Sequence, residues 1–332
     1  MATLYITEQG TTLRKEQNRL VVERDSTIIS EIHEFKLERV VIFGNVQLTT
    51  QAISFLLERG IDTTFLSTKG RLKGRLAPLA SKNVLLRVSQ YERAGDPRFA
   101  LDVAIAIVSA KIANCAEILR RHQRNHSECD LSSEVTQLAG LNQRASQRQT
   151  MDSLRGIEGQ AAAIYFQGFA RLLRRNLNFK KRARRPPTDP VNSLLGFGYT
   201  LLYNETISAL VAVGFDPYMG FYHKVNYGRC SLALDLMEEM RPVIADRLAL
   251  NLVNMEIVKP EDFTIADDQG TYLSGEGRKR FLREYERMMI AEFANRRTSE
   301  RTSFRRALHE QALAMQRAVV QRAPYEVFQG WY

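Results

Sequence analysis

Glu158 is a carboxylate set into an apolar helix face. From Met151 to Arg175 the residues Leu154, Ala161, Ala162, Tyr165, Phe169 and Leu172 recur at helical spacing. At about 100° per residue Glu158 points between Tyr165 and Phe169, while Gln160, Gln167, Arg171 and Arg174 take the opposite side. An ionised carboxylate turned toward a core is costly unless a cation or strong donors meet it. The chain therefore has to supply a metal site or a buried ion pair.

A second group of residues offers what Glu158 lacks. The segment FDPYMGFYHKVNYGR, from Phe215 to Arg229, is turn-rich and aromatic and places His223 in a loop just before a helix opened by Ser231. In that helix Leu232, Ala233, Leu236, Met237 and Met240 form the apolar side, and Asp235, Glu238 and Glu239 the opposite one, close to each other at i, i+3 and i, i+4. Taken singly, a loop histidine reads as a structural residue and an acidic helix face as a solvated one. Together with Glu158 they form a nitrogen and oxygen ligand set suited to magnesium or manganese, with coordination left for water and phosphate oxygens.

The elements that must position these residues fall into two modules, an α+β arrangement with the change near residue 80. Before it, Val-, Ile- and Thr-rich segments at Thr3 to Thr7, Arg19 to Glu23, Ser26 to Ile32, Arg39 to Phe43 and Thr63 to Ser67 read as strands. Thr50 to Arg59, closed by Gly60, reads as a helix buried through Ala52, Ile53, Leu56 and Leu57. Residues 1–80 are thus expected to form a small β-rich domain and 81–332 a larger all-α one, with 81–97 as the linker. In the latter, helices are expected at Asn83 to Arg93, Pro97 to Arg121, Val191 to Val213, Ser231 to Asn254, Gly277 to Arg296 and Ser303 to Ala323, with shorter pieces from His122 to Gln149.

Composition sets the surroundings. No uninterrupted apolar run reaches the roughly 18 to 20 residues that span a bilayer, and the polar start MATLYITEQG lacks the regions of a signal peptide, so a cytoplasmic protein with no membrane partner is expected. Cys115, Cys129 and Cys230 form no CxxC pair and indicate neither a disulfide framework nor a zinc ribbon. A net charge of +10 calls for an anionic partner, nucleic acid ahead of membrane. Lys69, Arg71, Lys73 and Arg75 alternate as on one side of a hairpin arm, either to touch phosphates or to blunt a sheet edge. The tract Arg171, Arg174, Arg175, Lys180, Lys181, Arg182, Arg184 and Arg185 contains no acidic residue and favours a phosphate backbone as its counterion.

At three places the sequence resembles the CRISPR-associated adaptation integrase and endonuclease family, the larger of the two core spacer-acquisition proteins. These are LRGIEGQAAAIYF around Glu158, DPVNSLLGFGYTLLYNE from Asp189 to Glu205, and GFYHKVNYGRCSLALDLMEEMRP from Gly220 to Pro242, in the family's order. The resemblance implies that Glu158, His223 and Glu238 bind the metal, with Asp235 at a neighbouring acidic position and either Asp235 or Glu238 the direct ligand. It implies a metal-dependent DNA integrase and endonuclease that acts on spacer-precursor and repeat duplexes, as a homodimer bridged by a small adaptation partner. Lys224, Arg229 and Arg241 are further phosphate candidates, although Arg241 can instead pair with Glu238 at i, i+3. Two other classes fit part of the pattern. A non-enzymatic nucleic-acid scaffold explains the charge but leaves Glu158 without a purpose, and a metallohydrolase of small phosphorylated substrates does not need the dispersed basic residues.

Overall fold

The computed structural model describes residues 2–77, 83–125, 129–175, 177–183, 186–295 and 299–329, and the chain folds as two units, residues 1–80 and 81–332. The first contains β1 (Ala2–Ile6), β2 (Thr11–Glu16), β3 (Arg19–Arg24), β4 (Thr27–His33), β5 (Leu37–Phe43), β6 (Val46–Leu48), α1 (Thr50–Glu58), β7 (Asp62–Leu66) and β8 (Leu72–Leu76). They form two four-stranded sheets, ordered β1-β5-β7-β8 and β4-β3-β2-β6. The inner strand β5, parallel to β1 and β7, is buried from Val40 through Phe43 without alternation, as befits a strand covered on both faces. Leu13, Leu20, Val22, Ile42 and Leu56 share its core. The helix α1 starts where expected, with Thr49 capping Ala52 N–H at 3.2 Å, but it buries Phe55 together with Ala52 and Leu56, while Ile53 and Leu57 are only half-buried.

Two strands in this unit, β2 and β6, lie outside the sequence expectation, and a third, β8, is the hairpin arm expected from the alternating cations. β2 reads TTLRKE, and its charged residues hide the alternation that buries Thr11 and Leu13. Those charges pair along and across the sheet: Arg14 meets Glu16 and Glu23, each at 2.7 Å. β6 is short, and β8 is the basic arm itself, antiparallel to β7. Arg75 is not free for phosphate, because it pairs with Asp62, which also takes Arg39 at 2.9 Å.

The second unit contains α2 (Val84–Ala94), α3 (Pro97–Asn125), α4 (Ser132–Ala145), α5 (Met151–Leu172), α6 (Pro190–Val213), α7 (Ser231–Met237), α8 (Arg247–Asn254), β9 (Phe263–Ile265), β10 (Thr271–Leu273), α9 (Gly275–Ile290), β11 (Glu292–Ala294), β12 (Arg301–Ser303) and α10 (Phe304–Gln321). The strand-rich first unit and largely helical second make the fold α+β, but the second is not all-α as expected: β9 with β10 and β11 with β12 form two small sheets, and α9 ends at Ile290, short of Arg296. The expected linker is not a tether: Gln90 of α2 is buried and its amide donates to the carbonyls of Asp216 and Met219 at 2.8 and 2.7 Å, fixing α2 within the helical unit. By length and composition α3 could cross a membrane, but it packs against α4 and α5 and buries Val103, Ile107, Ile112 and Leu119.

The helix expected from Ser231 to Asn254 is interrupted. Pro242 has no N–H to give and cannot continue an α-helix unperturbed. The chain widens there into a π-helical turn, Pro242–Asp246, closed by Asp246 N–H on Arg241 O at 3.1 Å, before α8 resumes. The turn aims the buried Asp246 carboxylate at two phenols, Tyr165 at 3.0 Å and Tyr199 at 2.6 Å. Burial pushes the Asp246 carboxyl up to about 6 in spite of those donors.

The last helix is fastened by charge. Arg305 of α10 meets Glu205 of α6 at 2.9 Å and Glu286 of α9 at 2.7 Å. Replacing Arg305 by Met removes the cation shared by the buried Glu205 and the half-buried Glu286. Urea unfolding followed by the helical signal should show a loss of about 3–5 kcal/mol. A loss below about 0.5 kcal/mol, the ordinary effect of a surface substitution, would mean that the triad is dispensable.

Candidate active site

Lys111, in the middle of α3, draws the site together. Its ammonium contacts Glu158 Oε1 of α5 and lies 2.6 Å from Glu238 Oε2, just beyond α7. The other oxygen of Glu238 takes Arg241 Nη1 at 2.6 Å and faces His223 Nε2 at 3.7 Å. Glu158, His223 and Glu238, distant in sequence, therefore converge on one place. Of the two partners open to Glu158, the structure holds a buried ion pair. Glu158 is also less immersed than its helical angle indicates, with a quarter of its side chain exposed, because Ile157 and Ile164 carry the packing beside it.

Asp235 does a different job from Glu238. It is fully buried, and its carboxylate accepts the backbone N–H groups of Phe221, Tyr222 and His223 at 2.6, 3.0 and 2.8 Å. The same carboxylate lies 2.7 Å from His223 Nδ1, which makes that nitrogen the donor to Asp235 and turns Nε2 toward Glu238. The loop can fold onto Asp235 only because residue 220 is glycine: a Cβ there would lie 2.7 Å from Asp235 Oδ2 and 2.9 Å from Leu232 N. With four donors already on it, Asp235 is a positioning residue, and Glu238 is the carboxylate that faces the pocket.

Glu239, expected on the same acidic face, points away. It is locked beneath the segment after α10 by Tyr325 Oη at 2.6 Å, Phe328 N–H at 2.7 Å and Gln311 Nε2 at 3.2 Å. Burial still pushes its carboxyl up to about 7. Asn114, one turn along α3 from Lys111, donates to both Glu239 O and Phe328 O at 2.9 and 3.1 Å. The terminal segment thus holds the Glu238 turn at a set distance from the Lys111 helix. The acidic face is buried all round, not solvated, because each carboxylate has its own donors.

The charges in the pocket are mutually sustaining. Burial drives the Glu238 carboxyl upward, but Arg241, Lys111 and His223 outweigh it and hold the group at about 2. Burial likewise opposes the Lys111 charge, and Glu238 and Glu158 override it, so the lysine stays an ammonium at any ordinary pH. As they stand, no three His, Cys, Asp or Glu side chains among the described residues are spaced to hold an ion. The donor set nevertheless fits one: two carboxylates already gathered on a cation, and an imidazole whose Nε2 is turned toward one of them.

The basic residues divide unevenly. Arg171 pairs with Glu134 at 2.6 Å, and Arg175 with Glu256 at 2.7 Å. Arg182 donates to Asn192 Oδ1 at 2.8 Å and lies 5.2 Å from the Tyr199 ring centroid, as does Arg241. For Arg171 and Arg175 the compensating anions come from elsewhere in the chain. Arg174 takes part in local interactions, Lys180 and Lys181 are exposed, and Arg184 lies outside the described residues. Lys224 is exposed and Arg229 half-buried in the loop after His223. Lys111 escaped the sequence reading, although a single ammonium inside VAIAIVSAKIANC is the counterpart of Glu158 in its own stripe.

A profile of the family described as CRISPR associated protein Cas1 matches residues 4–287. The chain belongs to the Cas1 family. A Thermus thermophilus protein named CRISPR-associated endonuclease Cas1 3 is 36% identical over 99% of this chain and 97% of its own length. A Geobacter sulfurreducens Cas4/Cas1 fusion is 38% identical over 95% of this chain, which spans 57% of that longer protein. Among solved structures, a Cas1 protein from Thermotoga maritima superposes with a TM-score of 0.80 at 27% identity, covering 99% of both chains. A casposase bound to integration product shares the fold, with a TM-score of 0.86 at 20% identity over 99% of this chain and 93% of that one.

In this Cas1-family chain Lys111 already occupies the two carboxylates that a divalent cation would need. Lys111→Met should melt several degrees lower than the parent in chelator, since Glu158 and Glu238 are left facing each other, and manganese should raise its melting temperature more than it raises the parent's. Equal manganese shifts in the two proteins would show that the carboxylates do not take the ion.

Proposed function

We propose that the chain is a divalent-metal-dependent DNA endonuclease and integrase of CRISPR adaptation, inserting new spacer DNA into the repeat array. The observation that carries this reading is the convergence of Glu158 and Glu238 with the inward-facing Nε2 of His223, in a chain whose relatives are named endonucleases. Magnesium or manganese, when bound by Glu158, His223 and Glu238, supplies Lewis acidity at the attacked phosphodiester. Asp235 keeps the His223 ring oriented for that role, and Arg241 and Lys111 keep Glu238 ionised across the working pH range. Lys224 and Arg229, in the loop that follows His223, steady the phosphates on either side. In strand transfer a 3′-hydroxyl of the incoming DNA forms the new phosphorus–oxygen bond, and the repeat strand leaves with its own 3′-hydroxyl. Water in place of the attacking hydroxyl gives cleavage.

The substrates on this reading are the spacer-precursor and repeat duplexes, met in the cytoplasm. Two exposed lysines, Lys180 and Lys181, together with Lys224, are available for their backbones. Assembly is as a homodimer through residues 1–80, where the sheet-edge strand β4 leaves Ile28 and Ile29 exposed and Phe35 follows, also exposed. A small adaptation protein completes the complex. In support, a similar solved chain comes from a Cas6-RT-Cas1–Cas2 complex, with a TM-score of 0.82 at 27% identity over 99% of this chain and 36% of that one.

Glu158→Ala and His223→Ala should each abolish strand transfer of labelled DNA in manganese, with DNA affinity changed less than about threefold, because phosphate contacts lie outside the pocket. Full strand transfer by both purified variants would sink the reading.

A further inference from the structure

The two cations of the pocket are mounted differently. Arg241 meets Glu238 at 2.6 Å, and its guanidinium lies 5.2 Å from the centroid of the Tyr199 ring. The Tyr199 hydroxyl is tied in turn to Asp246 at 2.6 Å, so Arg241 is held from two directions. The Lys111 ammonium has no such mounting. Among the described residues its ion pairs and hydrogen bonds go to Glu158 and Glu238 alone, the two carboxylates of the proposed ion site. Its stem leaves α3 on the face of Ile107, Val108 and Cys115, all buried, which offer the ammonium no other anion.

Charge decides what becomes of Lys111 when those carboxylates take a divalent ion. Glu158, Glu238 and Asp235 bring three negative charges to the pocket, and Lys111 and Arg241 bring two positive ones. The balance is one negative charge, and a divalent ion turns it into one positive charge, the complement of a single phosphodiester. Uncompensated charge in a half-buried site is costly whatever its sign. An ammonium between the carboxylates would also repel the ion beside it. Lysine has a flexible stem and a point charge that changes partner readily, whereas Arg241 is fixed by its stacking. The open direction is toward solvent: Lys111, Glu158 and His223 are each partly exposed, while Glu238 and Asp235 are buried. A phosphate must enter by the same side.

We propose that Lys111 passes its ammonium from Glu158 and Glu238 to the attacked phosphate when the carboxylates take the ion. The ammonium keeps its proton throughout and only changes its anion. Ion and DNA then tighten each other's binding through one side chain, by the reciprocity that any such linkage obeys. This rests on the proposed action on DNA and adds to it the residue that links the two ligands.

Manganese binding to the full chain, read from the free-ion electron paramagnetic resonance signal, tests the linkage. The DNA is a duplex with dideoxy 3′ ends, so no strand transfer occurs. In the parent this duplex should tighten manganese binding by about 5- to 150-fold. Lys111→Met should bind manganese more tightly than the parent without DNA, and the duplex should add less than about twofold. A second readout needs no substitution: modification of Lys111 by an amine-reactive reagent, located by mass spectrometry. Lys111 should be protected in chelator, modified once manganese is bound, and protected again by duplex. Equal modification with and without bound manganese leaves the ammonium on its carboxylates and overturns the proposal. A Lys111→Met protein that keeps the parent's DNA-dependent gain does the same, and if that variant does not fold, the modification pattern decides alone. Should the parent bind manganese and duplex independently of each other, only the role given to Lys111 falls. If it binds no manganese or no duplex, the reading of the chain as a metal-dependent DNA enzyme falls with it.

Discussion

Charge compensation around Lys111 is the constraint on which the helical unit is arranged. Three elements far apart in sequence, α3, α5 and the turn after α7, each bring a charged side chain to one half-buried place. None could be buried there alone, because a lone ion in a protein interior costs several kcal/mol. The ammonium and the two carboxylates are thus mutual conditions of the fold, and the arrangement that satisfies them also brings together two carboxylates of the proposed ion site. Arg241 adds a second cation to Glu238 and is itself laid against Tyr199, whose hydroxyl is tied to Asp246 in the π-helical turn. Stability and the prospective chemistry share one set of contacts.

Around that centre the supporting carboxylates are spent on geometry. Asp235 uses three backbone N–H groups to shape the Phe221–His223 segment and a fourth donor to set the imidazole. Glu239 ties the same helix end to Tyr325 and Phe328, well away from the pocket. Neighbouring acidic residues in and just after one short helix therefore act in three directions, and only Glu238 looks inward. The division follows from what each one meets, since the three differ little in intrinsic chemistry.

Long-range periodicity made much of this legible in the sequence. The apolar spacing in α3, α5, α6 and α10 and the Val- and Ile-rich strands of the first unit gave the order of elements and the change near residue 80, and the oddity of Glu158 pointed to the pocket. β2 stayed hidden because Arg14, Lys15 and Glu16 break its alternation, and their partners lie along and across the sheet. The role of Asp235 depends on Gly220 admitting the loop, a contact between residues fifteen positions apart that no local pattern announces. The basic tract looked unpaired for a similar reason: Glu134 and Glu256, which answer Arg171 and Arg175, belong to other segments. Lys111 was readable in principle by the argument applied to Glu158, a charge out of place in an apolar run. What sequence alone does not give is which of the two possible cations, ammonium or metal, a carboxylate in such a run will meet.

The central claim is that Glu158, His223 and Glu238 form a one-ion site. Pulsed electron paramagnetic resonance of manganese titrated into the full chain tests it directly. The account predicts one tightly held manganese per chain, coupled to an imidazole nitrogen. The coupling should vanish in His223→Ala, and the binding itself should be lost in Glu158→Gln and Glu238→Gln. Manganese that binds equally well to all three variants, or that shows no nitrogen coupling in the parent, would contradict the account and leave the pocket as a structural ion-pair cluster.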